Sequence, residues 1–138
     1  MSDDNPMLTR RKESPAGAGH WHITELYPHT IRVRIGDVVV AETDAALILK
    51  EVGRTVYNPS FYIPVRDTRM ELVEKEDGFT TACPIKGEAT YFHYAGNGER
   101  IEWAAWAYED PLPYSDMLRG HVGFDQRWAT LEIVARKA

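Results

Sequence analysis

The densest set of reactive side chains in this chain lies in Cys83-Pro84-Ile85-Lys86-Gly87-Glu88, flanked by Thr80-Thr81 and Tyr91. Proline fixes its own φ and lacks a backbone donor, while glycine permits a tight bend, so the spacing predicts a defined loop between two strands. Loops held on a rigid scaffold are frequent homes for binding groups. A thiol near an ammonium group has a route to the thiolate, because the cation favours the charged form. The alternative makes Cys83 a small buried hydrophobe and Lys86 a solvated charge. Nucleophilic catalysis would also need a base and an oxyanion site, and spacing identifies neither.

Histidines are the next chemistry-bearing residues. His20 and His22 stand two apart, on one face of an extended stretch, which makes them a candidate two-ligand metal clip. Structural zinc usually takes four ligands with paired cysteines, and the chain has one cysteine and no Cys-x-x-Cys. No metal site and no cofactor are therefore expected. His29 reads as a turn residue, His93 as a strand-surface residue, and His121 as either a core-edge residue or a pocket donor. A P-loop, a dinucleotide-binding glycine pattern, a Gly-x-Ser-x-Gly elbow and a His-Glu-x-x-His helix are all absent. The pairs Glu76-Asp77 and Glu109-Asp110 fall beside turns and read as solvated charges.

The elements that must position these groups read mostly as strands. Thr30 to Ile35 alternates polar and apolar, Gly36-Asp37 supplies a two-residue turn, and Val38 to Val40 resumes the pattern. Ala46 to Val52 suits a strand or a helical turn. Val56 to Pro64 is rich in β-formers, but Pro59 and Pro64 confine it to an edge or an irregular segment. Asp67 is expected to cap a short helix through Glu74. Thr80 to Ala82 and Ala89 to Ala95 flank the Cys83–Gly87 loop. Gly96-Asn97-Gly98 then turns the chain into Ile101 to Tyr108, apolar on both faces and so expected near a sheet centre. Tyr114 to Arg119 suits a short helix ended by Gly120, and Ala129 to Ala135 a last strand.

Composition bounds the rest. With 138 residues, 43% hydrophobic and 27% charged, the chain has the balance of one globular domain. Residues 1–19 are polar, small and Pro/Gly-punctuated and read as a disordered tail, leaving 20–138 as a single β-rich domain. A lone cysteine, no recognisable secretory signal and no run near the roughly 20 apolar residues of a membrane span point to the cytoplasm, with no membrane association. The net charge of -5 disfavours nucleic acid, whose affinity for proteins comes largely from basic residues. Arg10-Arg11-Lys12 is followed at once by Glu13 and reads as solvated.

Four stretches resemble the bacterial and fungal family known as domain of unknown function 427. They are His20, Glu25 and Pro28 leading into Ile31 to Gly36 and Val40 to Thr43; Tyr62 to Asp67 with Met70 and Leu72; Thr81 to Tyr91; and Ala104 to Pro113 with Gly120 to Phe124. The Cys-Pro-x-Lys-Gly and Trp-x-Tyr-x-x-Pro-x-Pro segments are the most specific. The resemblance implies a mainly β, compact domain of several coiled antiparallel sheets, similar in shape to Mss4-like proteins, with one or two short helices. It does not imply their zinc, because the cysteine pairs are missing, and it brings no activity. The chain departs from the usual pattern at His22-Ile23, at Ala82 and at Asp125-Gln126-Arg127-Trp128, which puts a pocket rim in question.

Within the resembling segments the polar positions are His20, Arg66, Asp67, Cys83, Lys86 and His121. The leading expectation is a cleft for a small anionic or carbonyl-bearing metabolite, with or without catalysis. In it Cys83, Lys86 and His20 are the reactive groups. Arg66, Asp67, Glu88, Tyr62, Tyr91, Trp106 and His121 bind the ligand. The rival is a non-enzymatic interaction or homo-oligomer module that uses the aromatic surplus and the Pro-rich Tyr108 to Tyr114 segment.

Overall fold

A computed structural model describes residues 5–136 as two antiparallel β-sheets. The larger has seven strands in the order β1-β4-β5-β9-β8-β7-β6, and the smaller three, β10-β2-β3. The strands are β1 (Trp21–Leu26), β2 (His29–Ile35), β3 (Val38–Thr43), β4 (Leu47–Val52) and β5 (Ser60–Pro64). They continue as β6 (Val73–Cys83), β7 (Gly87–Gly96), β8 (Glu99–Ala107), β9 (His121–Phe124) and β10 (Ala129–Arg136). The protein is mainly β, a curled seven-stranded half-barrel with a three-stranded sheet. Among the described residues, no helix is long and apolar enough to cross a membrane.

Alternation explains how the sheets stack. On β2, Ile31, Val33 and Ile35 are buried while the intervening arginines are half-exposed, the period-2 pattern of a one-sided strand. These side chains meet Ile63, Phe92, Ala105, Val122 and Phe124 of the large sheet in the main core. The opposite face of the large sheet carries a second cluster of Leu49, Tyr62, Ala89, Tyr108 and Leu118. Consecutive residues Tyr62 and Ile63 thus serve different clusters, and β5 is buried on both faces. The hairpin turn at Asn97 (φ 52) and Gly98 (φ 75) has two successive left-handed residues, as a type I′ turn demands.

Several expectations need correction. β5 is internal, not an edge: Pro59 precedes it and Pro64 is its last residue, so neither missing donor interrupts its ladder. Asp67 does not cap a helix running to Glu74. Two 3-10 turns, Val65–Asp67 and Met70–Leu72, lead directly into β6, and Asp67 accepts a bond from the Thr43 hydroxyl at 2.7 Å. Asp77-Gly78 lies inside a bulge of β6. His93 is buried, not on the surface: its Nδ1 accepts the Trp103 N–H at 2.9 Å and its Nε2 donates to Glu76 at 3.1 Å.

The expected disordered tail contains an α-helix, α1 (Pro6–Glu13), capped by the Asn5 side chain with Pro6 opening its first turn. Composition missed it because its anchoring is tertiary. The Arg10 guanidinium lies 4.4 Å over the Tyr114 ring, and the Tyr114 hydroxyl donates to the Arg10 carbonyl.

The Cys83–Gly87 loop closes the β6–β7 hairpin, with Cys83 paired to Gly87. Gly87 has φ 107, a value L side chains rarely adopt, and an added Cβ would sit 3.3 Å from the Leu112 backbone nitrogen. That close approach lets Leu112 N–H donate to the Lys86 carbonyl at 2.9 Å, while Ser115 Oγ donates to the Ile85 carbonyl at 2.6 Å. The Ile85 side chain is fully buried and anchors the loop from below. Ile85→Ala should cost about 2–5 kcal/mol, read as a lower denaturant midpoint at unchanged slope. An unaltered midpoint would show that the loop does not depend on this anchor.

Candidate functional site

The central row of the large sheet supplies the floor of a cleft. Register places Leu47, Tyr62, Gly123, Trp106 and Tyr91 side by side across β4, β5, β9, β8 and β7. Gly123 is what allows the row to close: a Cβ there would lie 2.8 Å from the Trp106 ring. The indole therefore lies across β9 and donates from Nε1 to the Tyr62 hydroxyl at 3.2 Å. Tyr62 meets Trp106 edge-on at 6.2 Å and Tyr108 at 6.5 Å. The Tyr91 hydroxyl bonds Thr81 at 2.6 Å.

Above this floor stands a chain of charged groups. Lys86 Nζ donates to Glu51 Oε1 at 2.5 Å, and His20 Nε2 donates to Glu51 Oε2 at 2.7 Å. The Lys86 and Glu51 side chains are each only 9% exposed, and His20 is 21% exposed. Each partner comes from a different element: Glu51 from β4, Lys86 from the β6–β7 hairpin, and His20 from the residue before β1. Gly53 makes room for the third, since a Cβ there would fall 2.9 Å from Tyr57 and 3.2 Å from the His20 ring. His20 and Tyr57 accordingly stack with nearly parallel planes.

Electrostatics fixes the charges. Burial alone would push the Glu51 carboxyl up, but hydrogen bonds from Lys86 and His20 outweigh it and hold the group below the ordinary carboxylate range. Burial likewise pulls on Lys86, yet the Tyr62 phenol, Glu51 and Cys83 together keep it above the ordinary lysine value. Lys86 is thus an ammonium donor, not a free amine. Burial raises the Tyr62 and Tyr108 phenols, so both are neutral hydroxyls near neutral pH.

His20, Glu51, Tyr62, Cys83, Lys86, Tyr91, Trp106 and Tyr108 line one cavity of about 460 Å³, open to solvent. Of the residues singled out from sequence, the structure brings together Cys83, Lys86, His20, Tyr62, Tyr91 and Trp106. Four stand elsewhere. Arg66 is exposed beside Asp67 on the turn after β5, with Asp67 engaged by Thr43. Glu88 points from the other face of β7 and accepts from Thr80 at 2.6 Å. His121 opens β9 beside Pro64 and donates from Nδ1 to the Arg119 carbonyl at 2.9 Å.

Sequence reasoning missed Glu51, Tyr57 and Tyr108. Glu51 had a signal: with β4 read as a strand, Leu47, Leu49 and Glu51 share a face, which puts an acid in register with the buried Leu49 and the half-buried Leu47. The rim segment Asp125-Gln126-Arg127 lines an adjoining cavity of about 750 Å³ that shares Ser60 and Trp106 with the first.

His22 does not form a clip with His20. It is fully buried, and both ring nitrogens have protein partners. Ser115 Oγ donates to Ile85, so it accepts from His22 Nε2 at 2.7 Å, while His22 Nδ1 accepts from Thr24 at 3.1 Å. Burial, reinforced by Lys86 and Arg10, lowers the His22 pKa from 6.5 to about 4. Between these values the unfolded chain takes up a proton that the folded one refuses, so stability falls as pH drops from 6.5 to about 4. The loss at this one site amounts to about 3 kcal/mol. His22→Gln, uncharged throughout, should flatten the dependence of urea midpoint on pH over that window; an unchanged slope would assign it to another group.

No curated protein matches the chain. The family model described as a domain of unknown function (DUF427) matches residues 24–135, which include β2 to β9, Glu51 and the whole Cys83–Gly87 hairpin. Covering nearly the whole chain, that match and the β architecture agree with the resemblance carried by the Cys-Pro-x-Lys-Gly and Trp-x-Tyr-x-x-Pro-x-Pro segments, and the chain belongs to the DUF427 family.

Proposed function

We propose that the cleft binds a small metabolite bearing a carbonyl or carboxylate group next to an apolar or planar portion. The observation that carries this reading is the Lys86–Glu51–His20 chain, built from three elements and buried beside an aromatic cavity. A buried charge costs stability unless it is paired, so side chains with no role beyond the scaffold are more simply made apolar. The cavity volume of about 460 Å³ falls in the range of small-ligand pockets, roughly 300–1,000 Å³. Lys86 retains N–H donors beyond the one given to Glu51, and these suit a carbonyl or carboxylate oxygen. Tyr62, Tyr91, Trp106 and Tyr108 suit the apolar part. Cys83, half-buried on the same wall, borders whatever is bound.

The test is a thermal-shift panel of 2-oxo acids, carboxylates and aldehydes on the wild type and on the Lys86→Met/Glu51→Gln double variant, which leaves no buried charge unpaired. A true ligand at 100 times its Kd stabilises by about 2.7 kcal/mol. It should raise the wild-type Tm and leave the double variant unmoved. No response across the panel, or equal responses from both proteins, would count against the cleft.

A second reading rests on a separate observation. Phe79 and Trp103 are 46% and 39% exposed and touch each other at 5.3 Å, forming with Tyr91 an aromatic patch on β6–β8. Interfaces are enriched in such residues. Gel filtration over a wide dilution range decides it: a dimer that Phe79→Ser dissociates supports an interface, and a monomer at every concentration removes it.

A further inference from the structure

We propose that this cleft catalyses proton transfer at the carbon beside a carbonyl, the keto–enol tautomerisation of a 2-oxo acid with an apolar or aromatic side chain. This rests on the cleft being the ligand site and adds to it a reaction and a substrate class.

The geometry around His20 carries the inference. Its Nε2 hydrogen is committed to Glu51 at 2.7 Å, which leaves the lone pair on Nδ1, and Nδ1 has no hydrogen-bond partner among the described residues. The ring borders the cleft and also the neighbouring cavity lined by Arg54 and Tyr57. It is held on three sides: Glu51 at the edge, Tyr57 stacked on its face, and the bare Cα of Gly53 beneath it. A base oriented by a carboxylate on its far nitrogen, with the near nitrogen open, is the arrangement general-base catalysis requires. Lys86 shares the same carboxylate and the same cavity, so a fixed ammonium and an oriented imidazole face one ligand.

The reaction follows from these placements and needs no oxidant or cofactor. Lys86 donates a hydrogen bond to the ketone oxygen and remains an ammonium throughout. His20 Nδ1 takes a proton from the adjacent carbon; that C–H pair becomes the new C=C bond, and the carbonyl π pair moves onto oxygen. Glu51 stabilises the imidazolium so formed, and Lys86 the enolate oxygen. The imidazolium then returns its proton to the oxygen, giving the enol, or to the carbon, giving back the ketone. In heavy water the imidazolium at the open edge of the cleft exchanges its proton for a solvent deuteron before returning it, so the second route replaces the carbon-bound hydrogen with deuterium. The aromatic floor suits a flat side chain, and the enol of such an acid is planar and conjugated.

Phenylpyruvate has each of these parts and serves as the probe. Proton NMR in heavy water at low buffer concentration follows loss of its methylene signal, while saturation transfer in the same tube reports binding. General-base catalysis contributes at least about 100-fold, so the intact protein should exceed the protein-free exchange rate by that factor. His20→Gln, whose amide can still donate to Glu51, should abolish the excess. Gly53→Ala keeps the imidazole but displaces it, and a displacement near 1 Å costs up to about 100-fold. Saturation transfer without accelerated exchange would overturn the reaction and leave the binding site standing. Absence of both would overturn the two together. Accelerated exchange that survives His20→Gln would remove His20 as the base.

Discussion

The ion pair between Lys86 and Glu51 is the constraint around which this end of the molecule is organised. A carboxylate taken from water into protein carries a penalty of several kcal/mol, and only close pairing with further hydrogen bonds offsets it. Glu51 meets that condition with one oxygen to Lys86 and the other to His20. The three residues lie far apart in sequence, so satisfying one carboxylate fixes the β6–β7 hairpin, the end of β4 and the entry to β1 relative to one another. Removing either charge alone would strand the other.

A second polar network lies behind the first and serves it. Thr24, His22, Ser115 and the Ile85 carbonyl form a continuous run of hydrogen bonds inside the protein. It ties the hairpin to β1, where His22 pairs with Glu51 across the ladder, and the Leu112 amide holds the next carbonyl. The Pro-rich stretch after β8 thus braces the hairpin: Pro111 and Ser115 are buried and Tyr114 bonds α1, while Glu109, Asp110 and Pro113 stay exposed. Because His22 stays neutral near neutral pH, this network adds no second charge beside Lys86.

Backbone irregularities complete the frame. Trp103 has φ 59, unusual for a bulky residue, at a bulge of β8 opposite His93. His93 accepts the Trp103 N–H and reaches across to Glu76 in the β6 bulge. One buried imidazole thus ties together two bulged strands flanking β7 and turns Trp103 outward against Phe79 and Tyr91. Bulges commonly re-aim side chains near sites, and here the strand they flank carries Tyr91 into the cleft.

The strands of this protein were largely legible in its residues, because a one-sided strand needs local alternation and a hairpin needs local glycine. Thr30 to Val40, the flanks of the Cys83–Gly87 loop, and Gly96-Asn97-Gly98 all declared themselves in this way. β1 and β9 were not legible: β1 mixes two polar residues into its buried side, and β9 is four residues long. For the site, the Cys-Pro-x-Lys-Gly segment and the aromatic residues were readable as a loop with polar content. Which partner Lys86 takes was not, since Glu51 lies 35 positions away and its strand was itself ambiguous. The helix at Pro6–Glu13 and the separation of Arg66, Asp67, Glu88 and His121 from the cleft also depended on the assembled sheet. Local sequence sets backbone period and turn geometry, which act over a few bonds; whether a charge is buried, and beside what, is decided only when distant strands close upon it.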